Sequence, residues 1–192
     1  MSYQFENKHF VQYFGSLETL RRNWGWFLLL GIGLILLGIL AIGASTVTTL
    51  VSVIFLGSLL LIGGIFQIIY SFWAHRWSGF FLSLFVGILY TLLGASFLHH
   101  PEMGALTITL LMAVFFVLAG AFRIIYAAMM RFENWGWVVL SGVITLLLGI
   151  LIWSQWPVSG LWVIGLFIGI DLLFYGWTWV VLSLAARNFR AI

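Results

Sequence analysis

Three polar side chains lie inside long apolar stretches of the sequence, where they are the residues best placed to do chemistry. Asp171 and Arg123 are ionisable, and Gln67 carries an amide. An ionisable group at membrane depth is costly, and it usually marks a proton or ion pathway or a charged partner. Asp171 lies near the middle of its stretch and is too short to extend its charge to water. We therefore predict a candidate intramembrane polar site at these three residues.

Each of the three residues also has a structural interpretation. Arg123 lies eight residues before Arg131, and a long arginine can extend its head towards water. Gln67 can hydrogen-bond to a neighbouring helix. Three interpretations of Asp171 remain open, namely an ion pair with Arg123, a neutral carboxyl bonded to small residues or backbone, and a proton or ion site. The repeat described below places Asp171 level with Phe115, roughly 12 Å along the helix from Arg123, so direct pairing requires an offset between helices.

A second candidate is the segment His99-His100-Pro101-Glu102, which lies between two apolar stretches. Imidazole gains a charge near pH 6.5, so His99 and His100 beside Glu102 could form a pH-responsive loop on the outer side of the membrane. The alternative is a solvated turn shaped by proline and glycine. No metal site is predicted, because adjacent histidines seldom converge on one zinc ion without a further ligand.

The sequence carries no catalytic or cofactor motif. Gly31-Ile32-Gly33 lacks the later glycine and the strand-to-helix context of a dinucleotide site, and no Walker sequence or nucleophile triad can be assembled. We expect no enzyme activity and no cofactor. The absence of cysteine and the presence of only eight lysines and arginines also argue against a disulfide framework, a thiol nucleophile and a nucleic-acid partner.

Composition places these residues in a membrane protein. The 192 residues are 64% hydrophobic and 7% charged, whereas soluble domains are about 25% charged. A spanning helix needs roughly 20 mostly apolar residues, and solidly apolar runs exclude a β-barrel. We predict an all-α membrane protein in a lipid bilayer, with six transmembrane helices at residues 24–42, 50–72, 80–98, 106–129, 135–153 and 161–185.

Charge predicts the orientation of these spans. Short-loop lysines and arginines remain cytoplasmic during insertion, and seven of the eight fall on one side. Both termini are therefore predicted to be cytoplasmic, with segment 1–22 at one end and a tail at 187–192. Apolar residues three and four apart suit an interfacial amphipathic helix in segment 1–22; a frayed polar tail is the alternative. The seven cations are Lys8, Arg21, Arg22, Arg76, Arg131, Arg187 and Arg190.

Glycines reveal an internal repeat of about 56 residues. The odd-numbered spans each carry two glycines seven apart, and the even-numbered spans carry one glycine in matching register. Three parallel helical hairpins are therefore predicted within residues 23–186, at about 23–75, 76–131 and 132–186. The repeated glycines are Gly31, Gly38, Gly87, Gly94, Gly142 and Gly149 in the odd spans, and Gly64, Gly120 and Gly176 in the even spans.

Glycines seven apart lie on nearly one face of a helix, where they let two backbones approach closely in a lipid environment. Gly165 and Gly169 add a small-xxx-small pair in the sixth span. We predict that these glycines pack helices, either within the bundle or between subunits of a homo-oligomer.

The whole chain resembles the HdeD family of acid-resistance membrane proteins. The resembling features are the repeated Leu-Leu-Gly of the odd spans, the run 120–125, the segment 101–104 and the run 169–173. The resemblance implies a bacterial inner-membrane protein, built from two-helix repeats, that supports survival of acid stress by an unknown molecular mechanism. Two alternatives remain open: a small transporter or proton or ion channel of unknown substrate, and a structural or partner-binding membrane scaffold.

Overall fold

The computed structural model describes residues 24–73, 77–130 and 134–188, and within these ranges the chain is all helical. Several predictions lie outside the described residues: the amphipathic segment 1–22, the loop cations Arg76 and Arg131, and tail residues 189–192. The helices are α1 (Trp24–Gly43), α2 (Ser45–Ser71), α3 (Trp77–His99), α4 (Pro101–Met130), α5 (Trp135–Ser154) and α6 (Val163–Asn188), with a short 3₁₀ helix at Val158–Leu161 before α6.

Six helices of the described part are long and apolar enough to cross a membrane. The predicted fold class, an all-α membrane protein with six spanning helices, is confirmed. Arg187, which was predicted to begin the tail, lies in the last turn of α6.

Two helices begin five residues earlier than hydropathy predicts. α2 starts at Ser45 instead of 50, and α4 starts at Pro101 instead of 106. In α2, the Thr49 hydroxyl donates to the Ser45 carbonyl oxygen at 2.8 Å, so a threonine can enter the helix without an unpaired hydroxyl. In α4, proline occupies the first helical position, where its missing N–H leaves no bond unmade. The polar N-terminal ends of α2 and α4 are therefore helical, although hydropathy alone does not predict a span there.

The interior is built from small residues, and the large apolar side chains point outwards. Ala105, Ala113 and Thr109 have no exposed surface, whereas Trp26 is 75% exposed and Met129 77% exposed. Since lipid is as apolar as leucine, helices in a membrane associate through close packing of small residues. This distribution fits a chain whose outer surface faces lipid.

The chain divides into two compact units, residues 1–43 with 167–192, and residues 44–166. In the described part of the first unit, α1 packs antiparallel to α6. The Phe27 and Trp179 rings stack at 5.3 Å between centroids, and the Arg187 guanidinium lies 5.1 Å from the centre of the Trp24 ring. Contacts of aromatic rings therefore stabilise one end of this helix pair.

The second unit contains two tightly packed antiparallel pairs, α2 with α3 and α4 with α5, whereas α3 and α4 contact each other sparsely. α3 and α4 are joined by the single residue His100. The packed pairs therefore cross the predicted repeat boundaries at 75/76 and 131/132, because each joins the second helix of one repeat to the first helix of the next.

Candidate functional site

Antiparallel helices pack backbone to backbone at three seams, which we define as α1–α6, α2–α3 and α4–α5. At each seam, glycine or alanine backbones face one another at two levels seven residues apart. A Cβ atom added to Gly38 would lie 2.8 Å from the Gly169 carbonyl oxygen, and one added to Gly120 would lie 2.7 Å from the Gly142 carbonyl oxygen. The facing pairs are Gly31–Gly176 and Gly38–Gly169, Gly64–Gly87 and Gly57–Gly94, and Gly120–Gly142 and Ala113–Gly149.

The eleven glycines predicted to pack helices all lie against other atoms of the chain. Gly165, the remaining member of that set, lies against the Ser45 backbone within the second unit. Sequence reasoning missed Gly57 and Ala113. Their signal was present, since each stands seven residues before Gly64 or Gly120, as Gly169 does before Gly176.

One seam position recurs in all three repeats and holds a different residue in each, namely Gln67, Arg123 and Trp179. The Gln67 amide donates to the Ser83 hydroxyl oxygen across the α2–α3 seam, at 2.9 Å. Trp179 stacks on Phe27 across the α1–α6 seam. These two side chains therefore contact the adjacent helix of their own seam.

Arg123 at the α4–α5 seam is exposed, and its Nη1 donates to the Thr145 hydroxyl oxygen at 3.4 Å. The Thr145 hydroxyl itself donates to the Ser141 carbonyl oxygen at 2.8 Å. Side chains on a helix lean towards its N-terminus, which for α4 is away from the Met130 end. The guanidinium accordingly contacts a residue ten positions into α5. In this structure it points along the span, away from the Met130 end, and the extension of the arginine towards water stays a prediction.

Asp171 lies in α6 within the first unit, and its side chain is exposed. The carboxyl group has no hydrogen bond or ion pair with the described residues of that unit. Arg123 belongs to the second unit, so the pairing of the two residues stays a prediction. Gln67 and Arg123 occupy different seams, and the structure does not bring them together.

The predicted pH-responsive segment is a helix junction and not a loop. His99 ends α3, His100 connects it to α4, and Glu102 lies in the first turn of α4. The His100 N–H donates to the Ser96 carbonyl oxygen at 2.8 Å, and the His100 carbonyl oxygen accepts from the Gly104 N–H at 3.2 Å. All three titratable side chains are exposed. Among the described residues, no group of three His, Asp or Glu side chains is placed to hold a metal ion.

A buried hydroxyl secures the start of α6 in the second unit. The Thr49 side chain has no exposed surface, and its oxygen accepts the Gly165 N–H at 2.9 Å. The first N–H groups of a helix lack acceptors within that helix, and Thr49 of α2 provides the acceptor for one of those in α6. Sequence reasoning missed Thr49, since no local pattern links it to a residue more than 100 positions away.

Two stretches of the chain, residues 29–99 and 85–154, match the family described as "Short repeat of unknown function (DUF308)". Together they include more than half of the chain. The chain belongs to the DUF308 family. The two DUF308 matches are offset by 56 residues, the period of the seam glycines. Each match contains one complete seam, α2–α3 in the first and α4–α5 in the second.

Relatives named Protein HdeD support the predicted resemblance. Those of Escherichia coli strain K12, Escherichia coli O157:H7 and Shigella flexneri are each 25% identical over 162 residues, which cover 83% of this chain and 85% of the relative. The resemblance to the HdeD family is thereby confirmed. No solved structure matches the chain.

Proposed function

We propose that this DUF308 protein is an integral stress protein of the bacterial inner membrane that supports acid resistance without catalysing a reaction. The relatives named HdeD, matched over most of both chains, carry the proposal, because the HdeD resemblance implies survival of acid stress. The six apolar helices support the membrane location. The α3–α4 junction carries the exposed ionisable side chains of His99, His100 and Glu102.

Complementation tests the proposed function. An Escherichia coli strain lacking its own HdeD is exposed to acid with and without this chain, and surviving cells are counted. We expect the chain to raise survival above that of the empty vector. Equal survival, with the chain present in the membrane fraction, would contradict the proposal.

The orientation with both termini in the cytoplasm is also proposed, on the strength of the seven one-sided cations. The chain contains no cysteine, so single cysteines can be placed without removing native ones. In spheroplasts, a membrane-impermeant maleimide should label Gln155→Cys directly and Asn134→Cys only after permeabilisation. The cysteine-free chain gives the background, and the reversed labelling pattern would overturn the orientation.

A second candidate function, a small proton or ion channel or transporter, is favoured by one observation. The exposed Asp171 carboxyl has no hydrogen-bonding partner among the described residues of its unit, and an unpartnered carboxyl within a span is a candidate proton carrier. Proton flux into liposomes should then occur with the wild-type chain and disappear with Asp171→Asn. Equal flux through both variants and through empty liposomes would leave the scaffold interpretation.

A further inference from the structure

The three equivalent seam positions differ in whether the facing helix supplies a partner. The residues at the matching point of the odd helices are Phe27, Ser83 and Val138, which follow the repeat period. Phe27 stacks with Trp179, and Ser83 accepts a hydrogen bond from Gln67. Val138 can offer Arg123 neither a side-chain hydrogen bond nor a charge. Two of the three equivalent positions therefore hold side chains that interact across the seam, whereas Arg123 at the third faces an apolar residue.

No described residue of its unit balances the charge of Arg123. Its one hydrogen bond, to Thr145, is long at 3.4 Å, although a guanidinium has five N–H donors. The acidic residue among the described residues of this unit is Glu102. Glu102 lies 21 residues earlier on the same helix, roughly 30 Å away at about 1.5 Å per residue. The described residues of the unit therefore supply no anion within reach of Arg123.

The depth of Arg123 identifies which anion is within reach. A Cβ atom added to Gly142 would lie 3.1 Å from the Arg123 Cβ, so the two residues are level. Gly142 lies five residues beyond Trp137, about 7.5 Å along α5, and the Trp137 indole is 73% exposed. Exposed indoles in spanning helices prefer the headgroup level. Arg123 therefore emerges one and a half turns below the lipid headgroups, a distance that a long side chain can bridge by snorkelling.

From this placement we propose that Arg123 binds the phosphate of an anionic phospholipid at the α4–α5 seam, in the leaflet at the Met130 end. The guanidinium exchanges its long bond to Thr145 for a bidentate, charge-assisted pair of bonds to phosphate oxygens. An anionic lipid is favoured over a zwitterionic one because its headgroup carries no cation to compete with the arginine. The inference depends on the chain spanning a bilayer, and it holds for either orientation and with or without a role in acid resistance.

Native mass spectrometry of the purified full chain tests the proposal. Phosphatidylglycerol and, in parallel, phosphatidylcholine are titrated into the detergent-solubilised wild type and into Arg123→Gln. We expect the first phosphatidylglycerol to bind the variant about tenfold more weakly, with phosphatidylcholine binding little changed. Arg123→Gln should fold, because Gln67 occupies the equivalent position of the first repeat.

Arg187→Gln is the matched control, since Arg187 is also an exposed cation in the last turns of an even-numbered helix but lies over the Trp24 ring. Its phosphatidylglycerol affinity should remain within about twofold of the wild type. Unchanged binding by Arg123→Gln, or an equal loss in Arg187→Gln, would overturn the proposal.

A second substitution covers the case in which Arg123→Gln does not fold. Arg123→Lys keeps the charge but lacks the planar fork that binds phosphate in two places. It should bind phosphatidylglycerol several-fold more weakly than the wild type. Wild-type affinity in Arg123→Lys would contradict the bidentate phosphate site.

Discussion

At the residue scale, Thr49 connects two helices within the second unit. Its buried hydroxyl donates to Ser45 and accepts from the Gly165 N–H. Thr49→Val keeps the shape but leaves that N–H without its partner, which should destabilise the fold by about 1–3 kcal/mol. Thermal unfolding in one detergent measures the change. Thr46→Val, at an exposed position of the same turn, is the control and should change stability by less than about 0.5 kcal/mol.

His99 and His100 carry the prediction on pH. Both are exposed at the α3–α4 junction, with Glu102 in the turn that follows. Since glutamine has no ionisable group, replacing both histidines by glutamine should abolish acid protection in the complementation assay while survival at neutral pH is unchanged. Ser154→Ala, at the exposed end of α5, provides a control with intact histidines. Full acid protection by the double variant would refute a sensing role for this junction.

Residue types were enough to locate the polar positions but not their partners. Gln67 and Arg123 stand out in apolar sequence, and their shared repeat position follows from the glycine period. Gln67 contacts Ser83, and Arg123 contacts Thr145. These contacts depend on which helices pack together and on the direction in which side chains lean, towards the helix N-terminus. Seam partners lie on helices of different repeats, so the hairpin alone could not have identified them.

At the scale of helices, the two-level backbone contacts set the register of each seam. A Cβ added to Gly64 would lie 2.5 Å from the Thr91 nitrogen and 2.9 Å from the Gly87 carbonyl oxygen. These are backbone atoms of the facing helix, so Gly64→Ala must push α2 and α3 apart. We expect a loss of about 1–3 kcal/mol of stability, measured by thermal or denaturant unfolding.

The adjacent glycine is the matched control for that measurement. No atom lies within 4 Å of a Cβ built on Gly63, so Gly63→Ala should be neutral or stabilise the helix by up to about 1 kcal/mol. Equal destabilisation by both substitutions would mean that the seam contact is not responsible. Because the same methyl group is added one residue away, the comparison isolates the effect of the facing backbone.

The sequence was sufficient to predict six helices, but it placed the starts of α2 and α4 five residues too late. The hydroxyl residues Ser45, Thr46 and Thr48 lower the hydropathy at the start of α2, so hydropathy does not predict a span there. Threonine hydroxyls that donate to carbonyl oxygens four residues earlier allow α2 to begin at Ser45. The pairing of helices also depends on more than spacing. Glycines seven apart predict a packing face, and the same face fits a partner within the chain or in another subunit.

At the scale of the whole molecule, all three seams share one construction: an even helix packs antiparallel to an odd one through small residues at two matched levels. Two of these seams are joined by short connections, from Ser71 to Trp77 and from Met130 to Trp135. The α1–α6 seam places Asn188 and Trp24, the described ends of its two helices, in the equivalent positions. A covalent connection between these two helix ends should therefore leave the packing undisturbed.

A circular permutant tests this equivalence. Linking residue 192 directly to residue 1, and opening the chain at residues 74–76, keeps every residue and converts the α2–α3 connection into the new ends. We expect the permutant to insert, to keep its helical content and to melt close to the wild type. Opening the chain at His100 is the contrasting cut, since a single residue joins α3 and α4 there. Failure of the first permutant to fold, with the native chain stable under the same conditions, would argue against equivalent seams.

The α1–α6 seam also bears on how such a chain can change in length. Linear repeat arrays expose an unsatisfied face at each end and require specialised terminal repeats, whereas here the first and last described helices, α1 and α6, pack against each other. Gain of a complete two-helix repeat would add one seam and preserve the insertion direction of every later helix. Gain or loss of a single helix would reverse the direction of all helices after it and leave one helix without a seam. Growth of this architecture is therefore restricted to even steps.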